Sequence, residues 1–154
     1  MAPATSGPDA PPPDAQFSQQ EIADAEEAMC DAWRASYAAI RNVASKNSQD
    51  DTLTYVLNLE SQVVFDASAD YIQSHLRNHP ATPRQLAEVL SRLSLSYQDM
   101  VLARLADVSE SEVEPIKAKM NSAESSVRQE CEELSIPVDR RVSGDLRSGL
   151  LIAV

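Results

Sequence analysis

From Ile22 onward the apolar residues Ala25, Met29, Trp33, Tyr37, Ile40 and Val43 return every three or four positions, the rhythm of a helix that buries one face. The run opens on Ser18 with Glu21 three residues later, the two halves of a capping box, and Phe17 stands where a staple to Ile22 begins. The polar stretch from Lys46 to Asp51 interrupts the rhythm and offers Ser48 or Asp50 as the next cap. A second helix carries Leu53, Val56, Leu57, Val63, Val64, Ala67 and Tyr71 as its main stripe and stops near Asn78, because Pro80 disfavours helical geometry in the residue before it. Thr82 caps a third helix, with Pro83 at its first position and Gln85 at the box position. Its stripe is Leu86, Val89, Leu90, Leu93, Tyr97, Met100, Val101, Leu105 and Val108. The segment Ser109 to Pro115 offers Ser109 with Glu112, or Ser111 with Glu114, as caps, and its proline suits only a first turn, so a break is expected there. A fourth helix shows Ile116, Met120, Ala123, Val127, Cys131 and Leu134 on one face and is expected to end at Pro137.

The pattern predicts helices over residues 19–46, 51–78, 83–108 and 112–134. Four amphipathic helices with short polar links imply an all-α fold, an antiparallel up-and-down four-helix bundle over residues 17–136. A proline-rich disordered leader over 1–16 and a flexible tail over 137–154 complete the expected organisation. Composition supports this reading. The three glycines, Gly7, Gly144 and Gly149, all lie near the ends, which disfavours a fold rich in tight hairpins. At 154 residues and 43% hydrophobic, the chain suffices for one self-standing core.

Charge narrows the partners. A net charge of −11 repels nucleic acid, and no basic, aromatic-studded face offsets it. No apolar run reaches the ~18 residues of a membrane span, and no basic region followed by an apolar stretch opens the chain, so neither a span nor a signal peptide is expected in it. Catalytic chemistry is sparse. His75 and His79 share a helix side, but no third ligand is near, and both occupy the last turn, where histidine meets the negative end of the helix dipole. The pairs Glu26-Glu27, Asp50-Asp51 and Glu132-Glu133 are adjacent and read as solvated rather than as acid and base. Neither G-x-S-x-G, nor C-x-x-C, nor a phosphate-cradling loop occurs. The expectation is a protein that is not an enzyme and holds no metal or cofactor. Leu59, Phe65, Ile72 and Leu76, off the main stripe of the second helix, are the candidate surface for a partner protein, a ligand or a second copy.

Cys30 lies 16 residues before Lys46, and Cys131 lies 16 to 19 residues beyond the segment Glu112 to Pro115. In an up-and-down bundle these landmarks share one end, which sets the two sulfurs at depths of roughly 24 Å and 24 to 29 Å. At matching depth on neighbouring helices, the two either form a disulfide or pack as buried free thiols.

The Pro11 to Pro13 leader, Phe17-Ser18, Ile22-Ala23-Asp24-Ala25, Cys30-Asp31-Ala32-Trp33-Arg34 and the late Cys131 together resemble uncharacterised mycobacterial and related actinobacterial alanine- and proline-rich envelope proteins. In that family a proline-rich linker follows a membrane span and leads into a small exported helical domain. The resemblance implies an extracytoplasmic, non-catalytic binding or structural domain in which Cys30 pairs with Cys131. Two other functions remain open: a cytoplasmic adaptor, chaperone or immunity-type protein with both thiols reduced, and a carrier of an apolar ligand within the bundle.

Overall fold

The computed structural model describes residues 17–134, which form four helices: α1 (Gln19–Ala44), α2 (Asp51–Asn78), α3 (Arg84–Leu105) and α4 (Glu110–Leu134). There is no strand among the described residues. The leader expected over 1–16 and the tail expected over 137–154 lie outside them.

Three of the four helix starts carry side-chain hydrogen bonds at the cap that the residues dictate. At α1 the Ser18 hydroxyl accepts from the Glu21 N–H, and the Glu21 carboxylate accepts from the Ser18 N–H at 2.7 Å. At α2 the cap is Asp50, which accepts from the Leu53 N–H at 2.9 Å, while Ser48 accepts from the Asp50 N–H. Before α4, Glu112 accepts from the Ser109 N–H at 3.0 Å and from its hydroxyl at 2.6 Å. The start of α3 departs from expectation: Pro83 is the N-cap, and the Thr82 hydroxyl donates to the His79 carbonyl at 2.7 Å instead of capping.

α2 has both of its expected ends, α1 its expected start and α4 its expected end, whereas α1 and α3 end two and three residues early and α3 starts one residue late. α3 stops at Leu105 because the chain enters the left-handed region at Asp107, φ 52°. There the Val108 N–H donates to the Ala103 carbonyl and the Asp107 N–H to the Arg104 carbonyl, the two bonds of a Schellman cap. α4 starts two residues early and keeps Pro115 inside it, so Pro115 has no N–H to offer the preceding turn.

Successive helices run antiparallel. Lys46 pairs with Glu60 across α1 and α2, the Ser94 hydroxyl donates to the Ala69 carbonyl across α2 and α3, and Gln85 bonds Glu130 across α3 and α4. Helix α1 meets α4 only over a short seam, which closes the bundle. The core is Met29 and Trp33 from α1, Ala69 and Ile72 from α2, Leu86, Leu90, Leu93 and Tyr97 from α3, and Val127 from α4. A smaller cluster of Met100, Ala103 and Val113 fills the end near the α3–α4 turn.

The burial of α2 corrects the sequence reading. Its inward face is Ser68, Ala69 and Ile72, with Val64, Phe65 and Leu76 partly buried against the core. Most of the expected main stripe instead faces outward: Leu53, Val56, Val63, Ala67 and Tyr71 are exposed, whereas Leu57 is half-buried and Val64 packs against the core. Small side chains explain the choice. Ser68 and Ala69 let the backbones of α2 and α3 approach closely enough for the Ser94 hydroxyl to reach the Ala69 carbonyl at 3.1 Å, an approach larger stripe residues would block. Leu105, assigned to the buried stripe of the third helix, is likewise 65% exposed, because the chain turns away immediately after it.

Candidate functional site

The two cysteines are joined. Cys30, in the middle of α1, and Cys131, three residues before the end of α4, form a disulfide with an S–S distance of 2.07 Å and a Cα–Cα distance of 5.6 Å, and both residues are buried. The alternative of two free thiols is therefore set aside. Along the same seam, Arg128 Nη2 donates to the Tyr37 hydroxyl at 3.2 Å while its guanidinium lies 5.4 Å from the centre of the Tyr37 ring. Cation–π attraction and the hydrogen bond thus act on one residue pair.

Beneath this seam lies a half-buried polar pair. The fully buried Tyr97 donates to Glu124 Oε1 at 3.0 Å, and its ring packs against Phe65 at 5.4 Å. Burial, and then the neighbouring carboxylate, hold the Tyr97 phenol protonated far above its ordinary range. Burial also raises Glu124 above the usual carboxylate range, partly offset by the Tyr97 hydrogen bond and by the charges of Arg128 and Arg41. The pair binds α3 to α4. On α1, Trp33 Nε1 and Ser36 Oγ are buried without a hydrogen-bond partner among the described residues.

The histidines of α2 stack. The His75 ring lies 4.5 Å from Tyr71 and 5.5 Å from the nearly parallel ring of His79, whose Nδ1 is 2.9 Å from the His75 carbonyl. This arrangement finishes the helix C-terminus, and no group of three metal-ligating side chains occurs among the described residues.

The candidate partner surface named from sequence divides. Leu59 is 40% exposed, whereas Ile72 is completely buried, and Phe65 and Leu76 are packed against the core. Ile72 is accordingly a core residue, not a surface one, because it lies on the same face as Ser68 and Ala69. Leu59 instead joins an outward apolar face of α2 whose other members the sequence reading assigned to the core. Val56, Leu59, Val63 and Ala67 follow at spacings of 3, 4 and 4 and all are exposed, flanked by exposed Leu53 and Tyr71. The spacing itself was the signal; which of two apolar faces meets the core is decided only by the neighbours.

Beside this face, a groove of about 720 Å³ lies between α2, α3 and α4. Its floor includes Phe65, Met100 and Met120, and its rim includes Tyr55, Arg104 and Lys117. Both cations are engaged with Glu110, at 2.6 Å from Arg104 and 3.1 Å from Lys117, and their hydrogen bonds lower Glu110 from the usual carboxylate range. The groove thus joins an apolar floor to a polar rim on which Arg104 and Lys117 are paired with Glu110, with Asp107 also on its lining.

No helix among the described residues is long and apolar enough to cross a membrane. Comparison with known proteins finds no family model matching this chain, no curated protein similar to it in sequence and no solved structure similar to it in fold.

Proposed function

We propose that the chain is a non-catalytic protein-binding domain that works outside the cytosol, as the extracytoplasmic part of a bacterial envelope protein. The observation that carries the binding half is the outward stripe of α2, a row of large apolar side chains left in water by a helix whose opposite face is already packed. A chain selected only to fold has no use for such a row. The Cys30–Cys131 bond supports the location, since disulfides persist in oxidising compartments.

Two measurements test the two halves. A photo-crosslinker placed at Val63 in the producing cell is expected to give a discrete adduct that the same probe at exposed Gln129 does not give; identical behaviour at both positions sinks the binding reading. Intact mass after alkylation of native, unreduced protein is expected to show no added alkyl groups, and two alkylated cysteines would return the chain to a reducing compartment, as a cytoplasmic adaptor.

A second reading draws on the groove floored by Phe65, Met100 and Met120: carriage of an apolar ligand between α2, α3 and α4. Organic extraction of purified protein decides it. A stoichiometric lipid supports carriage, and its absence removes it.

A further inference from the structure

We infer that the outward face of α2 docks a cationic amphipathic helix of a partner protein, apolar stripe against apolar stripe, with partner Lys or Arg side chains on Asp66 and Asp70. The inference rests on the binding reading above and adds the chemistry of the partner.

Geometry points to a helix. The exposed apolar row from Leu53 to Tyr71 runs along one helix for roughly 27 Å, five turns, and its 3- and 4-residue spacings match the ridges of a second helix laid alongside. The small Ala67 in the row permits close approach of the two backbones. Charge selects the kind of helix. Glu60, Asp66 and Asp70 share this face; Glu60 is neutralised by Lys46, but Asp66 and Asp70 are exposed and make no ion pair among the described residues. The face is therefore apolar with a net negative border, in a chain of net charge −11.

The same charges argue against a second copy. A two-fold axis presents the identical patch from both sides. An antiparallel pairing centred on Val63 sets Asp66 opposite the partner copy's residue 60, one centred on Leu59 sets it opposite residue 52, beside acidic residue 51, and a parallel pairing sets Asp66 on Asp66. In the second and third of these registers acid comes near acid, and in the first Asp66 meets a Glu60 already paired with Lys46. A helix bearing Lys or Arg at the edges of its apolar stripe relieves that conflict and is steered in by the long-range field.

The test uses the full chain and two synthetic 18-residue amphipathic helices, one built of Leu and Lys and the other of Leu and Glu, titrated calorimetrically. The Leu/Lys peptide is expected to bind and the Leu/Glu peptide not. The double variant Val56→Ser/Val63→Ser keeps every charge and, because both side chains are already in water, keeps its melting temperature; it is expected to lose about tenfold or more in affinity, the equivalent of about 1.4 kcal/mol. The variant Asp66→Asn/Asp70→Asn is expected to retain weaker binding with a flattened salt dependence. Undiminished binding by Val56→Ser/Val63→Ser would mean that only bulk acidity attracts the peptide and overturns the inference. Should neither peptide bind while the Val63 crosslink still forms, the partner chemistry is wrong and the binding reading stands. A concentration-dependent dimer in sedimentation that Val63→Ser dissolves would identify a second copy as the occupant and equally overturn it.

Discussion

Two serines show how differently the same side chain acts when buried. Ser94 gives its proton to the Ala69 carbonyl, whereas Ser36, buried on α1, has no partner among the described residues. Replacing Ser36 by Ala removes an unsatisfied hydroxyl and improves helix propensity, so Ser36→Ala is expected to stabilise by about 1 kcal/mol. Ser94→Ala forfeits a bond that offsets the propensity gain and is expected to destabilise by roughly 0.5 to 1 kcal/mol. Chemical denaturation of the two variants reads both signs. Glu124 makes the residue-scale pH prediction. Because its folded pKa is raised by burial, it favours the fold below the ordinary carboxylate range and loses that contribution as pH rises through its folded value. Glutamine keeps an acceptor for Tyr97 without the charge. The melting temperature of Glu124→Gln is thus expected to exceed that of the parent at neutral pH, with the difference shrinking toward zero as acid protonates Glu124. Glu21 and Glu112 run the other way: hydrogen bonds from Ser18 and Ser109 lower them, so their contributions are present above the unfolded carboxylate range and fade as pH falls through their folded values.

At the scale of the helix, legibility depended on whether one face was apolar or two. The stripe of α1 could be read directly: Ala25, Met29, Trp33, Ile40 and Val43 are buried, and Tyr37 in the same row packs half-buried against the core. For α2 two rows compete. The longer row of bulkier residues looked like the core face, yet the structure buries the row containing Ser68 and Ala69, because close backbone approach to α3 yields tighter packing than side-chain size alone. Periodicity cannot weigh that, as it depends on what the neighbouring helix presents. The same limit applies to ends. The Schellman cap at Asp107 uses a residue that only tolerates a positive φ, so the usual glycine signal was missing. Asp107→Gly relieves that conformation and is expected to stabilise by about 0.5 to 1 kcal/mol, measurable as a rise in melting temperature.

For the whole molecule, the order and direction of the helices were legible, and with them the matching depth of Cys30 and Cys131. The exposed apolar face of α2 was not, since it is defined by what the bundle leaves uncovered. The bond between the cysteines closes a loop with a sequence separation of 101, spanning the α1–α4 seam that packing alone secures weakly. In the chain-entropy model a loop of that length is worth about 4 to 5 kcal/mol, a large share of a domain's stability. Cys30→Ala/Cys131→Ala is therefore expected to lower the unfolding free energy by that order, read from denaturant midpoints of oxidised parent and variant.

The position of that bond also governs how the domain carries load. Helix α1 begins and α4 ends at the same end of the bundle, and the bond lies close to the end of α4, so tension between the two chain ends runs through the sulfurs and never reaches the helices enclosed between them. In a single-molecule pulling experiment the oxidised domain would keep roughly 340 Å of contour hidden at about 3.4 Å per residue, releasing it only after a reductant is added. Under such tension α2, with its proposed docking face, stays within the loop that the bond closes.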